Sequence, residues 1–192
     1  MSANAEPQPY RIPAVLRDLL IIDLMEITGS TTTTAKLLAM SQPSVSRRWR
    51  SVVRDLGLQR QRNGPVGQRY TNAPWIAGLR RGLNVHRLSA GFLRVGSCQS
   101  LEAQVLQLPW AQWVPLGREQ QVQWRSLMDL ELLDAIVLEH EPRLTTVEQQ
   151  SLASFKVSVA ARSRINLICR RHPLVLLIAQ QENGIRCRVD RL

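Results

Sequence analysis

Apolar residues in the first third of the chain recur at the spacing of an α-helix. Over Val15–Ile27 they fall three and four residues apart, which predicts one helix that ends just before Gly29. Ser30 or Thr31 can cap a second, shorter helix, because a side-chain hydroxyl accepts the unpaired backbone N–H groups at a helix start. The pattern therefore predicts two consecutive helices before the turn at Met40-Ser41-Gln42.

A third helix is predicted from Pro43 to about Leu56. Proline suits a first helical turn, where its missing N–H would be unpaired in any case. Val45, Trp49 and Val52 form one apolar stripe with Leu56, which leaves a basic, hydroxyl-rich opposite face. We interpret Trp49 as a core residue rather than a stacking platform. Two short helices joined by a tight turn, with the second one basic, are typical of a DNA-binding helix-turn-helix.

A basic hairpin and a linking helix are predicted next. Asn63-Gly64 is a strong turn signal between polar flanks, and we interpret it as the tip of a wing. A helix from Ala73 to about Leu88 follows, and the residues expected along one of its faces are Trp75, Leu79, Leu83 and His86.

The second half alternates short strands and helices. The predicted strands are Gly91–Val95, Gln112–Leu116, Leu133–Leu138 and Ile165–Cys169, with a turn at Gly96-Ser97-Cys98. The predicted helices are Ser100–Leu108, Glu119–Leu133 and Thr146–Phe155, and the tail could form a hairpin of Val175–Ala179 with Ile185–Val189. Alternation of this kind indicates a small parallel α/β sheet.

The expected fold class is therefore α + α/β, with a winged helix-turn-helix joined by a linking helix to a small α/β lobe. We expect a flexible arm over 1–13, a DNA-binding domain over 14–72, a linking helix over 73–90 and the lobe over 91–192.

Charge is concentrated in the first half. Residues 1–90 carry thirteen Lys or Arg against five Asp or Glu, whereas residues 91–192 carry twelve against ten. A basic surplus attracts any polyanion, including DNA, RNA and acidic membranes. The charge alone therefore does not identify the partner, and the helix-turn-helix pattern is what favours DNA.

Other classes of protein find little support in the sequence. Cys98, Cys169 and Cys187 lack the spacing of a zinc site, and we interpret them as reduced thiols. The chain has neither a signal-peptide pattern nor an apolar run long enough to span a bilayer, so we expect a cytoplasmic protein without membrane contact. Its histidines are isolated and no catalytic motif is present, which argues against an enzyme, a metal site or a cofactor.

The candidate DNA-binding residues lie around the turn, on the free face of the third helix and in the wing. Gln and Arg can make bidentate bonds to adenine and guanine, and hydroxyls and further arginines suit phosphates. The alternative is a solvated helix face that happens to be basic. The residues are Thr31, Thr32, Thr33, Ser41, Gln42, Pro43, Ser44, Ser46, Arg47, Arg48, Arg50, Arg60, Arg62 and Arg69.

A second candidate site follows the predicted strands of the lobe. Ser97, Cys98 and Ser100 lie between a strand end and a helix start, where free N–H groups favour a small anion. Gly117 and Arg118 occupy a similar place before the next helix. A simple helix cap is the competing interpretation.

The sequence resembles the LysR-type transcriptional regulators. Residues at the intervals of that family's DNA-binding motif are Gly29-Ser30, Ala35, Leu38, Ser41-Gln42-Pro43-Ser44-Val45-Ser46 and Leu56-Gly57. Segments that look like parts of its effector domain are Leu93-Arg94-Val95-Gly96, Leu133-Asp134-Ala135-Ile136 and the stretch ending in His172-Pro173-Leu174. In the family this last segment forms a turn, so the resemblance implies a structural role for His172.

The resemblance implies a dimeric transcription regulator that binds double-stranded DNA and takes a small acidic effector near Ser97. Its second lobe would begin after Leu174, so about half of a periplasmic-binding-protein-like effector domain is expected. The partner could be a second copy or a related regulator. The alternatives are a protein-interaction module that modulates a full-length regulator and a nonspecific nucleic-acid binder.

Overall fold

Three helices open the fold of the computed structural model, which describes residues 14–61, 64–71, 74–140, 142–159 and 163–180. They are α1 (Ala14–Thr28), α2 (Thr31–Leu37) and α3 (Gln42–Asp55), and they confirm the helices predicted from the apolar spacing. Ser30 caps α2 by accepting from the backbone N–H of Thr33, and Ser41 caps α3 by accepting from that of Ser44.

A two-stranded ribbon and a fourth helix follow. Strands β1 (Gln59–Arg60) and β2 (Tyr70–Thr71) pair antiparallel, and we call the described residues 59–61 and 64–71 the ribbon. Helix α4 (Pro74–Ser89) matches the predicted linking helix, but not its predicted inner face. Leu83 is buried, whereas Trp75 and Leu79 are each 42% exposed and His86 is exposed. The inner face instead includes Ile76, Arg80, Leu83, Asn84 and Arg87, because two of these arginines meet buried carboxylates.

The remainder of the described chain builds a five-stranded sheet with short helices. The strands are β3 (Leu93–Ser97), β4 (Ala111–Pro115), β5 (Ala135–Leu138), β6 (Leu152–Val159) and β7 (Ser163–Arg170). The helices are a 3-10 turn (Gln99–Leu101), α5 (Glu102–Val105), α6 (Arg118–Val122), α7 (Trp124–Asp129), α8 (Thr146–Ser151) and α9 (Pro173–Gln180).

The sheet is mixed, which corrects the prediction of a parallel one. Its order is β4-β3-β5-β7-β6. Strand β3 runs parallel to β4 and β5, while β7 runs antiparallel to β5 and β6. The predicted helix Thr146–Phe155 ends at Ser151, because buried Phe155, Val157 and Val159 alternate with exposed residues and fit a strand.

The predicted helix Glu119–Leu133 is also wrong, since two short helices meet at Gln123 in its place. After α7 the chain turns through Glu131, whose φ is +57°, and this turn brings Leu132 and Leu133 into the core. Likewise, the helix predicted over Ser100–Leu108 is only the 3-10 turn and α5.

Two further predictions fail at the ends of β3 and of the described chain. Strand β3 continues through Gly96 and Ser97, where a turn was predicted. Only glycine fits the strand at position 96, because a Cβ there would lie 2.7 Å from Leu116 Cδ1. Val175–Ala179 belongs to α9 rather than to a hairpin strand, since buried Val175, Ile178 and Ala179 follow helical spacing. Residues 1–13, 185–189 and Cys187 lie outside the described residues.

The core continues from the helical part into the sheet. Leu20, Leu24 and Ile27 of α1 belong to the same buried cluster as Leu127 of α7 and Ile168 of β7. A second cluster fills the opposite face of the sheet beneath α5 and α9. Helix α1 therefore packs against the α/β part as well as against α2 and α3.

Buried ion pairs cross the same boundary. Asp23 of α1 accepts from Arg80 Nε at 2.8 Å and from Arg94 Nη1 at 3.3 Å. Asp134 lies 2.6 Å from Arg87 Nη2, accepts from Arg170 Nη2 at 2.7 Å and also accepts from the backbone N–H of Arg94. One chain of charges thus ties α1 to α4 and to strands β3 and β7.

The charge partners control protonation in this network. Burial alone would raise the pKa of Asp134, but the charge of Arg87, together with Arg170 and the Arg94 N–H, holds the pKa below its ordinary value. Burial lowers the pKa of Arg94 to about 10, and the charge of Arg87 acts in the same direction. Asp134 and Arg94 are therefore both charged at neutral pH.

We expect Asp23→Asn to destabilise the fold strongly. The amide leaves the buried guanidinium groups of Arg80 and Arg94 without their counter-charge, which typically costs about 3–5 kcal/mol. Urea unfolding measures this free energy. Asp18→Asn is the matched control, because Asp18 pairs with Arg48 at the surface and should contribute under about 1 kcal/mol. Equal effects of both substitutions would contradict the role given to the buried pair.

We expect Glu26→Gln to stabilise the protein at neutral pH. Burial raises the pKa of Glu26 in the folded state, although the Arg69 N–H opposes the shift, and the carboxylate's Oε2 has no hydrogen-bond partner among the described residues. A raised pKa means that stability contributed below the ordinary value of 4.5 is lost as pH rises through the folded-state value. The gain in unfolding free energy from Glu26→Gln should therefore appear above about pH 5 and vanish toward pH 4. A pH-independent difference in urea unfolding would refute this origin.

Candidate nucleic-acid interface

The turn between α2 and α3 is fixed by backbone hydrogen bonds. Leu38 N–H donates to Thr34 O at 3.1 Å and Met40 N–H donates to Ala35 O at 2.9 Å, while Ala39 adopts a φ of +50°. Beneath the turn, Ala35 of α2 and Val45 of α3 are buried in one cluster with α1. The two helices are therefore held at a fixed angle by a short connection.

The start of α3 carries a network of polar side chains. Gln42 is exposed, and its Nε2 donates to Thr31 Oγ1 at 3.0 Å. Ser41 Oγ donates to Ser44 Oγ at 2.8 Å, beside the cap bond from Ser44 N–H. The bond to Thr31 uses one Gln42 amide hydrogen and leaves the amide oxygen and the second hydrogen for another partner.

Further along α3, basic side chains face solvent. Arg47, Arg48 and Arg50 are all exposed. Arg48 Nη1 donates to Asp18 Oδ1 of α1 at 3.4 Å, so this arginine is steadied by a surface ion pair. Pro43 is exposed as well, and Ser46 is half-buried. The exposed arginines give α3 a basic surface, and we call the surface at Arg47, Arg48 and Arg50 the basic face.

The three threonines at the start of α2 have different surroundings. Thr31 holds Gln42, Thr32 is exposed, and Thr33 donates its backbone N–H to the Ser30 cap. Thr31 thus lies beside the start of α3 rather than apart from it. Its orienting bond to Gln42 links residues 11 positions apart, which no local sequence pattern indicates.

Trp49 joins α3 to the ribbon. Its Nε1 donates to Tyr70 OH at 2.6 Å, and the Arg60 guanidinium carbon lies 5.3 Å from the centre of its ring. Burial raises the pKa of Tyr70 to about 12, so the phenol keeps its proton at neutral pH. Arg60 is exposed above this contact, at the edge of the basic face.

The other predicted ribbon arginines do not join Arg60 at this edge. Arg69 faces inward: its side chain is 15% exposed, and its Nη2 lies 3.9 Å from Glu119 Oε2. A Cβ at Gly29 would lie 2.0 Å from Arg69 Nη1, so the guanidinium packs directly on the backbone there. Arg62 lies outside the described residues.

The candidate effector residues come together at one end of the sheet. Ser97 of β3 pairs with Pro115 of β4, which places the turn at Gly117 and Arg118 beside the end of β3. Ser97 itself is buried, accepts from Trp113 Nε1 at 2.9 Å and donates to Cys98 O at 3.0 Å. Its hydroxyl is therefore engaged within the protein.

A carboxylate that the sequence did not reveal lies against this turn. Ser100 Oγ donates to Glu139 Oε1 at 2.9 Å, and Cys98 Sγ lies 3.7 Å from the same oxygen. Glu139 directly follows β5, so adjacent parallel strands bring it to Ser100 from 39 positions away. Because like charges repel, Glu139 disfavours a second anion at this position.

The described residues contain no group of three or more His, Cys, Asp or Glu side chains placed to hold a metal ion. Across the same residues, no helix combines the length and apolar character needed to cross a membrane.

Solved structures of transcriptional regulators are similar to this chain. CrgA, a LysR-type regulator from Neisseria meningitidis, has a TM-score of 0.33 at 16% identity, covering 77% of this chain and 54% of CrgA. Full-length CbnR in complex with its target DNA has a TM-score of 0.32 at 17% identity, covering 74% and 54%. A variant of full-length AphB has a TM-score of 0.41 at 16% identity, covering 74% and 53%.

Many of the matching solved structures are LysR-type regulators. The chain spans about half the length of the three described above. No family model matches the chain, and no curated protein matches it.

Proposed function

We propose that the chain is a DNA-binding transcriptional regulator of LysR type, with α2 and α3 as a helix-turn-helix and the ribbon as its wing. The observation that carries the proposal is the exposed start of α3, where Thr31 orients the exposed Gln42 side chain and Arg47 is exposed on the same helix. A helix presented in this way enters the major groove with its first residues toward the base edges.

The chemistry of this face suits both parts of DNA recognition. The free oxygen and hydrogen of the Gln42 amide match the N6 and N7 groups of adenine, and Arg47 can pair with guanine. Arg48, Arg50 and Arg60 supply positive charge for phosphates around that contact. Arg69 contributes less, because its guanidinium is mostly buried.

The α/β part beyond α4 takes the place of half an effector domain in this proposal. The turn near Ser97 and Gly117 is then the effector position, with Glu139 as a carboxylate already supplied by the chain. A small acid would have to displace Glu139 from Ser100 before it could bind at this turn.

We also propose that the chain forms a dimer, because a single helix-turn-helix contacts few base pairs. The outer face of α4 carries exposed Trp75, Leu79 and Val85. Between them, a Cβ added at Gly78 or Gly82 would meet nothing within 4 Å. An apolar face with such open positions permits close approach of a second helix, from another copy or from a related regulator.

Gln42→Ala and Arg47→Ala should each lower discrimination between a selected duplex and random DNA. Each good bidentate contact is worth about 1–3 kcal/mol, or roughly five- to 150-fold. Fluorescence anisotropy with a duplex from a random-library selection measures both affinities. Arg54→Ala is the matched control, because Arg54 is an exposed arginine of the same helix outside the predicted site.

The same measurement separates the alternatives. Unchanged discrimination in both variants would eliminate α3 as the recognition helix. Equal wild-type affinity for random and selected duplexes would favour a nonspecific binder, whereas binding that requires a full-length relative would favour an interaction module. Affinity should also fall steeply with salt, because arginine contacts release counterions from DNA.

Leu79→Glu should convert the dimer to monomers in sedimentation velocity, because a charge would be buried in the apolar contact. Leu106→Glu provides the control, since Leu106 is 59% exposed on a different part of the surface. Dimers that survive Leu79→Glu but not Leu106→Glu would move the interface away from α4.

A further inference from the structure

The middle of the ribbon is packed against the α/β part instead of extending into solvent. Val66 is 1% exposed and lies in one cluster with Leu127 and Leu132, around the end of α7. A loop that buries an aliphatic side chain in the core of another part of the fold is anchored there.

Gly67 shows how close the approach is. Its φ is +89°, and a Cβ at this position would lie 2.6 Å from Leu130 Cδ1. Both the backbone conformation and the contact therefore require glycine. The ribbon backbone at Gly67 therefore lies directly against the Leu130 side chain at the end of α7.

Polar contacts fix the same segment from two sides. Val66 N–H donates to Gln123 Oε1 at 3.0 Å, at the junction of α6 and α7. Arg69 N–H donates to Glu26 Oε1 of α1. Gln123, at the break between α6 and α7, thus accepts a hydrogen bond from the ribbon backbone.

The other end of the ribbon lies against α3. Arg60 and Tyr70 of the paired strands contact Trp49, so the position of Arg60 beside the basic face depends on how the ribbon is held. The ribbon consequently spans from α3 at one end to the α6–α7 segment at the other.

We propose that the α6–α7 segment, residues 118–130, is a positioning element for DNA binding that anchors the ribbon through Gln123 and Leu130 and so holds Arg60 beside α3. This inference rests on the proposed function. An anchored ribbon is already ordered before DNA arrives, whereas a released one would have to be ordered during binding, which lowers affinity.

The test compares Gly67→Ala with Gly91→Ala in the full chain. Gly91 has a similar φ of +82°, yet a Cβ there would meet nothing within 4 Å, so it reproduces the backbone strain without the contact at Leu130. Gly67→Ala should weaken binding to the selected duplex about three- to tenfold, and Gly91→Ala should not.

Gln123→Ala provides a second route, with Gln120→Ala in the preceding helix as its control. Amide hydrogen exchange reports anchoring without DNA: exchange at Val66 and Arg69 should accelerate in Gly67→Ala and Gln123→Ala but not in the controls.

The outcomes distinguish the two proposals. Faster exchange together with weaker binding supports the positioning role. Faster exchange with unchanged or tighter binding overturns it while the proposed function stands, and unchanged exchange in both variants overturns the anchoring itself. A wild-type chain that binds no duplex overturns the proposed function, and with it the inference.

Discussion

The buried charges around Asp23 and Asp134 constrain how the whole chain can pack. Asp23 lies between the buried guanidinium groups of Arg80 and Arg94. Asp134 lies between the buried guanidinium group of Arg87 and the half-buried one of Arg170. A buried ion pair adds little stability by itself, but losing one member leaves a desolvated charge. Helices α1 and α4 and strands β3 and β7 must therefore meet in one arrangement. A fold held in this way presents α3 and the ribbon from a single scaffold.

How much of the fold could be predicted from the sequence depends on how far apart in the chain the interacting residues lie. Helices α1, α2 and α3 follow from apolar spacing, from the cap at Ser30 and from Pro43 in the first turn of α3, which are local signals. The inner face of α4 does not, because the pairing of Arg80 with Asp23 joins residues 57 positions apart. A hydrophobic pattern assigns arginine to the surface. Similarly, a short apolar run such as Ile165–Cys169 indicates a strand without indicating whether its neighbours run parallel.

The same distinction between local and distant interactions applies to the candidate sites. Residue type and spacing identified Gln42 and Arg47, whose exposure on α3 follows from the buried stripe on the opposite face. Glu139 could not be found in this way, since it meets Ser100 only because β5 pairs with β3. Arg69 was assigned to an exposed wing by its charge alone. Its burial depends on Gly29, Glu26 and Glu119, which lie far from it in the sequence.

The charge network and the ribbon act on the same boundary between the helical part and the α/β part. Asp23 and Glu26 lie one helical turn apart on α1, and the first holds α4 and β3 while the second receives the ribbon at Arg69. Any rotation of α1 against the sheet would therefore disturb both sets of contacts together. The break between α6 and α7 places Gln123 where its Oε1 accepts from the backbone N–H of Val66, so the same boundary also includes the α6–α7 segment.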